Sequence, residues 1–421
     1  MESLTAEDVA ILDVESATIA GHTCKVVVLD GAPTVDDVRA HVQDRLPRVP
    51  RCCESLARGS PQAAWTDPAP VAVGDHVRAA PHGEDLAAAV SRAMSGRLDR
   101  TRPLWDLELV ADAGDGRSAL VWRVHHAMAD GMTMMRWASE LLWDDPPSSP
   151  SGKVVAPPTP ASLVSGAAAA ARTVLSLAKE LRPLRGAGPF GGRIGSQRQA
   201  GFARCSLDDV RAIGHGAGAG VTINDVVLTA VAGSLRTWCV DHGAPLTGAR
   251  VKVPVSMHVH GPDAADLGNR DSFMYVDLPI GEPDPLARLR AVNRETRERK
   301  TRHDAEAVYD VLGALDRVAP AAVHIAERLL MNPREFTLNV SNVPGPRSAI
   351  SVLGHPVVEL YSFAEVAERH PVRIAAVSLC DTMQFGVLTD PELVSGTAAL
   401  AAGIESAIAE LHERVAVSHR I

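Results

Sequence analysis

Two adjacent histidines, His125 and His126, followed by Asp130 and Gly131 in the run His-His-Ala-Met-Ala-Asp-Gly, are the residues of this chain best suited to chemistry. An imidazole can take and give a proton near neutrality, so the chemistry on offer is general acid–base catalysis. A strand-like run, Ala119-Leu120-Val121-Trp122-Arg123-Val124, leads into the pair. Successive strand residues point to opposite faces. His126 then shares a face with Leu120, Trp122 and Val124, and His125 with Ala119, Val121 and Arg123. Unless the strand has already ended, rings on opposite faces do not converge on one ion, whereas a zinc pair needs convergent rings, as at i and i+4 of a helix. The pair is expected to comprise one working histidine and one structural neighbour, with no metal. Asp130 has the short polar side chain of a helix start, and Gly131 tolerates positive φ.

The elements around the pair follow from hydrophobic period. It changes from about 2 before His125 to about 3.6 between Met132 and Trp143, which predicts strand, tight turn and helix. In an open sheet, strand ends are where side chains reach a ligand. Upstream, Trp105 to Ala111 and the run from Ser118 read as a hairpin around Asp112–Gly116. Pro103 keeps Arg102 extended and excludes a helix there; Trp105, taken alone, reads as a core aromatic. Before that come a Thr5-capped helix through Ile11, a strand Cys24–Leu29, a helix Val35–Leu46, a strand within Val71–Val77 and a helix from Asp85 to Ala93 and beyond.

The second half opens with a strand, Phe202–Ser206, and a helix, Leu207–Gly214. Thr222 can cap the next helix, which places Asn224 and Asp225 in its first turn. Those two cap the helix or fix a neighbouring loop or reaction centre. Strands follow at Val251–Ser256 and Phe273–Leu278, with a charged helix Pro285–Lys300. Phe336 to Val343 is a strand running into Pro344-Gly345-Pro346, a rigid turn from which Ser341 or Asn342 can donate a hydrogen bond. Val372–Leu379 and Thr382–Leu388 read as the last strands. The C-terminal helix keeps Leu400, Ile404, Ile408, Leu411 and Val415 on one face.

The 421 residues suffice for two full cores. Aromatics are 4%, so Ala, Val and Leu must fill those cores. The net charge of −9, without a dense basic patch, argues against nucleic acid as a partner. The six cysteines, Cys24, Cys52, Cys53, Cys205, Cys239 and Cys380, lack C-x-x-C spacing and read as reduced thiols of a cytoplasmic protein. The acidic, periodic start is unlike a signal peptide, and no apolar run reaches spanning length. From Asp144 to Ala200 the composition turns to Pro, Ala and Gly. This divides the chain into a first domain, 1–145, a crossover, 146–200, with an Ala-rich helix Ala161–Leu181, and a second domain, 201–421. Lys179, Arg182, Arg185 and Arg193 end the crossover. An apolar helix with basic residues either packs on the protein or rests on the inner face of a membrane or on a lipid droplet.

Pro103-Leu104-Trp105, His125-His126-x-x-x-Asp130-Gly131, Asn224-Asp225 and Ser341-Asn342-Val343-Pro344-Gly345-Pro346 stand in the order found in bacterial wax ester synthase/acyl-CoA:diacylglycerol acyltransferases. Leu98-Asp99-Arg100-Thr101-Arg102, Val253-Pro254-Val255-Ser256 and Gly268-Asn269 are similar too, so the resemblance spans nearly the whole chain. It differs at Met257-His258, where the family usually has an arginine, and near Ser378-Leu379-Cys380, where it often has an aromatic. The resemblance implies an α/β fold of two domains, like chloramphenicol acetyltransferase and peptide-synthetase condensation domains, with a tunnel at the domain interface. It implies transfer of a fatty acyl group from coenzyme A to a long-chain alcohol or diacylglycerol, with acyl-CoA as substrate and no cofactor. His126 would be the general base, His125 its neighbour and Asp130 mainly structural. Gly131, Trp105, Asn224, Asp225, Ser341 and Asn342 would lie on the substrate side. Two other activities fit the same motifs: condensation with a carrier-bound acyl donor, and non-catalytic binding of acyl-CoA or lipid.

Overall fold

The computed structural model describes residues 2–57, 63–145, 188–247, 249–256, 271–301, 336–366 and 369–418. The Ala-rich crossover helix, Met257-His258 and Gly268-Asn269 lie outside them. The first part of the chain forms β1 (Glu2–Ser3), α1 (Ala6–Val14), β2 (His22–Leu29), α2 (Val35–Arg45), β3 (Ala64–Trp65), α3 (Val73–His76), β4 (Val77–Ala79), α4 (Leu86–Ser95), β5 (Trp105–Val110), β6 (Ser118–His125) and α5 (Gly131–Leu141). The second part forms β7 (Gln199–Ser206), α6 (Leu207–Ala217), α7 (Ile223–Asp241), β8 (Ala249–Ser256), β9 (Asp271–Leu278), α8 (Pro285–Thr301), β10 (Leu338–Val343), β11 (Ser351–Val352), β12 (His355–Ala364), β13 (Val372–Leu379), β14 (Thr382–Thr389) and α9 (Thr397–Ser418).

Helices begin where the sequence supplies caps. Thr5 with Asp8, Thr34 with Asp37 and Thr222 with Asp225 form capping boxes, each satisfying two N–H groups that the first turn leaves orphaned. Asp85, Asp130 and Ser206 cap α4, α5 and α6. The strands assemble into two six-stranded sheets. The first has the order β11-β12-β2-β6-β5-β4, and the second β7-β14-β13-β10-β8-β9. β10 is parallel to both its neighbours, β13 and β8. Trp65, Trp105, Trp122, Trp137 and Trp143 share one core with Leu and Val from the first sheet. Ala, Val, Leu and Ile from α7 and α9 pack into the core of the second. The molecule is thus two α/β domains side by side.

One local expectation is corrected, and one strand is added. Val73–His76 is a helical turn, and the strand starts only at Val77. His76 explains this: its Nδ1 lies 2.7 Å from the Trp105 carbonyl and its ring stacks on Trp105 at 4.4 Å. That tertiary contact outweighs the strand propensity of the valines. The added strand is β12, which no sequence pattern announced. It belongs by position to the second half, yet it pairs antiparallel with β2 in the first sheet. Its far edge lies against β14, so closely that a Cβ on Gly386 would stand 2.1 Å from the Ser362 carbonyl. Phe202 of β7 meets Tyr361 and Phe363 of β12 edge-on, with centroids 4.8 and 5.2 Å apart. β12 therefore joins the two sheets.

Candidate active site

β6 is buried along its whole length, and its two faces enter different cores. Arg123, two residues before His125, donates to both carboxylate oxygens of Asp106, at 2.8 and 2.5 Å, and to the carbonyls of Ala93 and Gly96. The end of the strand is fixed by that buried, fully bonded pair. Beyond it the chain turns. The His126 N–H donates to the Gly21 carbonyl at 2.9 Å, and the Met128 N–H to the His125 carbonyl at 2.9 Å. Asp130 then accepts the Thr133 N–H at 2.6 Å and starts α5.

The two histidines have different surroundings. His125 is sealed, with 1% of its surface exposed. Its Nδ1 accepts the Ala127 N–H at 3.2 Å, which puts the ring proton on Nε2. Nε2 faces Glu15 Oε2 at 3.5 Å, an ion-pair distance rather than a directed hydrogen bond. Arg100 holds the same oxygen of Glu15, at 2.7 Å from Nε and 2.5 Å from Nη2. Burial would push the Glu15 carboxyl up; the contacts with His125 and Arg100 outweigh it and hold the group below the usual carboxylate range. With its Nδ1 lone pair taken by the Ala127 N–H and Nε2 carrying the proton, His125 has no lone pair left for a substrate.

His126 is half-buried. Its Nδ1 is enclosed beside its own carbonyl without meeting hydrogen-bond geometry. Burial lowers its pKa to about 4, helped by the positive charge of Arg373; its own carbonyl and Asp130 pull the other way. The ring is therefore neutral near pH 7, the state a base requires.

The second sheet reaches this turn through the end of β10. Ser341, Asn342 and Val343 are half-buried there, on a strand whose first three residues are sealed. A Cβ on Gly131 would lie 3.6 Å from Val343 Cγ2, so the start of α5 stands against β10. Ser341 and Val343 share a strand face, while Asn342 points to the other. Ser341 is therefore on the side turned toward the histidine motif. The turn that follows is pinned to β13: the Gly345 N–H donates to Ser378 Oγ at 3.1 Å, and the Cys380 N–H to the Pro346 carbonyl at 2.8 Å. Only glycine fits at 345, because a Cβ would sit 2.0 Å from the Ser378 carbonyl.

Other expected residues have structural partners of their own. Trp105 is in the core of the first domain, its indole N–H donated to the Cys52 carbonyl at 2.8 Å. That is the core role its type suggests, so an expected substrate contact becomes a part in shaping the strand beside His126. Asp225 is sealed and binds Thr222, Asn293 and Thr296, which ties α7 to α8. Asn224 is half-buried beside it. Glu15, Arg100, Gly21 and Arg373 were not among the expected residues. Glu15 meets Arg100 across 85 positions of sequence, a pairing that no local spacing reveals. Among the described residues, no group of three His, Cys, Asp or Glu side chains could hold a metal ion, and no helix is long and apolar enough to cross a membrane.

Comparison with known proteins agrees along most of the chain. Residues 4–182 match the profile of the wax ester synthase/diacylglycerol acyltransferase catalytic domain, and residues 267–412 that of the C-terminal domain of the same proteins. A Mycobacterium tuberculosis protein named as a diacylglycerol O-acyltransferase is 28% identical over 391 residues, covering 86% of this chain and 83% of its own. Another from the same organism, similarly named, is 28% identical over 464 residues, covering 99% and 97%. Among solved structures, the wax ester synthase/diacylglycerol acyltransferase of Marinobacter aquaeolei VT8 superposes with a TM-score of 0.72 at 23% identity, over 98% of this chain and 100% of its own. The first condensation domain of the calcium-dependent antibiotic synthetase superposes with a TM-score of 0.59 at 17% identity, over 99% and 96%. At such identities the superpositions establish the fold.

Proposed function

The chain belongs to the wax ester synthase/diacylglycerol acyltransferase family, and on that premise we propose that it moves a long-chain fatty acyl group from acyl-CoA to a long-chain alcohol or diacylglycerol with His126 as general base. The reaction is an acyl-CoA-dependent acylation that yields a wax ester or triacylglycerol. A thioester is already activated, so the difficulty lies with the hydroxyl, a poor nucleophile while protonated. The neutral ring of His126 accepts its proton as the C–O bond forms, a contribution of roughly 10²–10⁴-fold. The tetrahedral adduct collapses with loss of the thiolate, which takes the proton from His126 and leaves as coenzyme A. Ser341 is the donor offered for the oxyanion, because it shares a strand face with Val343, which stands against Gly131. Asp130 starts α5 and orients the turn. A tunnel between the domains would admit the two substrates from opposite sides and supply proximity.

The observation that carries this reading is the contrast between the two rings: His125 is sealed with its one lone pair bound to the Ala127 N–H, while His126 is neutral and half-buried. The test is thiol release from palmitoyl-CoA with hexadecanol or dioleoylglycerol as acceptor. Wild type releases thiol and forms neutral lipid, and His126→Ala does not. A His125→Ala variant that alone abolishes turnover while folded would exchange the two roles. Contact with a lipid surface is assigned to the stretch 161–193, on its apolar and basic composition. Flotation with anionic vesicles should fall when Lys179, Arg182, Arg185 and Arg193 are replaced by glutamine, and unchanged flotation would refute it.

A further inference from the structure

A heavily bonded buried pair of charges, Arg198 and Glu365, lies against the segment that precedes β2. Arg198, just before β7, donates from Nε to Glu365 Oε1 at 2.8 Å. Its Nη1 donates to the carbonyls of Gly195 and Gln197, each at 2.8 Å, and its Nη2 to the carbonyl of Thr18. Its backbone N–H donates to Ser95 Oγ of α4 at 2.9 Å. Glu365, just after β12, accepts the Ala20 N–H on Oε2 at 3.1 Å and the Val366 N–H on Oε1 at 3.0 Å. Its own N–H donates to the His22 carbonyl at 3.2 Å, and its carbonyl accepts from Arg373 Nη1 at 3.2 Å. The two side chains are 1% and 9% exposed.

Together they grip Thr18, Ala20 and His22, in and just after the connection between α1 and β2. That connection in turn holds the catalytic turn. Gly21 accepts the His126 N–H on its carbonyl at 2.9 Å. At φ +70° it also lies so near His125 that a Cβ would stand 2.7 Å from Nε2. Two residues from the later part of the chain thereby fix a loop of the first domain on which the histidine pair rests.

We propose that Arg198 and Glu365 are positioning residues for acyl transfer, which hold the 18–22 loop and through it aim His126 at the acceptor hydroxyl. They touch no substrate, and the proposal rests on the reading of His126 as base. A buried ion pair is weak ground for stability, since apolar replacements often leave a protein as stable. What a fully bonded pair does supply is fixed geometry, and a displacement of about 1 Å at a reacting group costs on the order of 10²-fold in rate.

The test compares thiol release from palmitoyl-CoA, melting temperature and amide exchange at residues 125–128. The variants are Arg198→Met, Arg198→Lys, Glu365→Ala and Glu365→Gln. Arg198→Met and Glu365→Ala should lower kcat on the order of 10²-fold with KM for both substrates nearly unchanged, and should speed exchange at the His126 amide. Arg198→Lys and Glu365→Gln keep part of the bonding and should recover part of kcat. Wild-type kcat in folded Arg198→Met overturns the proposal, and so does a loss confined to KM. If the Met and Ala variants do not fold, the Lys and Gln variants decide: lowered kcat with faster exchange supports it, and neither change overturns it. His126→Ala in the same assay separates the two failures. Should it turn over like wild type, the base assignment falls whatever Arg198 does.

Discussion

The proposed base, His126, can take a proton only while its ring is neutral. Burial first, then the charge of Arg373, sets that condition by holding its pKa at about 4. The free-enzyme kcat/KM should therefore stay level as pH falls from about 8 to about 6 and drop only toward about 4, because kcat/KM reports the free enzyme's ionisations. An ordinary histidine would halve activity already near pH ~6.5; such a profile would show that another group limits the reaction. Glu15 acts on the neighbouring ring. Glu15→Ala removes the carboxylate that faces His125 Nε2 and leaves Arg100 without that partner. Both the melting temperature and kcat should fall, kcat by less than in His126→Ala; equal losses in the two variants would make Glu15 part of the chemistry. The histidine pair and its Asp-Gly turn were legible in the sequence because they lie within seven consecutive residues. Glu15, Arg100 and Gly21 were not, since their roles arise from contacts between distant segments.

Among elements, α5 and the turn after β10 carry the sharpest constraints. Asp130 caps α5, so Asp130→Ala should cost about 1 kcal/mol in urea unfolding, while Asp130→Asn, still a capping residue, should cost little. Gly345→Ala forces a methyl onto the Ser378 carbonyl and should destabilise by roughly 1–3 kcal/mol. Gly131→Ala meets Val343 at an ordinary contact distance and should leave the melting temperature unchanged. If both glycine variants melt alike, the pinned turn is not as tight as its geometry indicates. Most strands and helices were legible, because capping threonines, prolines and a clear period mark them. The strand misplaced at Val71–Val77 failed because His76 stacks on a tryptophan 29 positions away in sequence. β12 carries Pro356 and Glu359 and shows no clean alternation, since its buried residues fall on both faces.

At the scale of the molecule, the α/β class was legible from the alternating periods, but the placing of a late strand in the first sheet was not. The pairing of Leu29 through Thr23 with Val357 through Ala364 leaves no local mark. It has a consequence for fragments. A chain ending at residue 200 would leave β2 as a bare edge over an open core, and should lack a cooperative thermal transition by circular dichroism; a cooperative melt would show that β12 is dispensable. Gly386→Val would push β14 off β12 at Ser362. Because His126 and Ser341 come from different sheets, such a separation should lower turnover more than it lowers stability.

The central claim is that a single neutral imidazole, His126, removes the acceptor's proton. Chemical rescue tests it most directly: thiol release from palmitoyl-CoA with dioleoylglycerol by folded His126→Ala, measured with and without added imidazole. The account predicts a loss of roughly 10²–10⁴-fold that imidazole partly restores. Turnover near the wild-type rate without imidazole would contradict it.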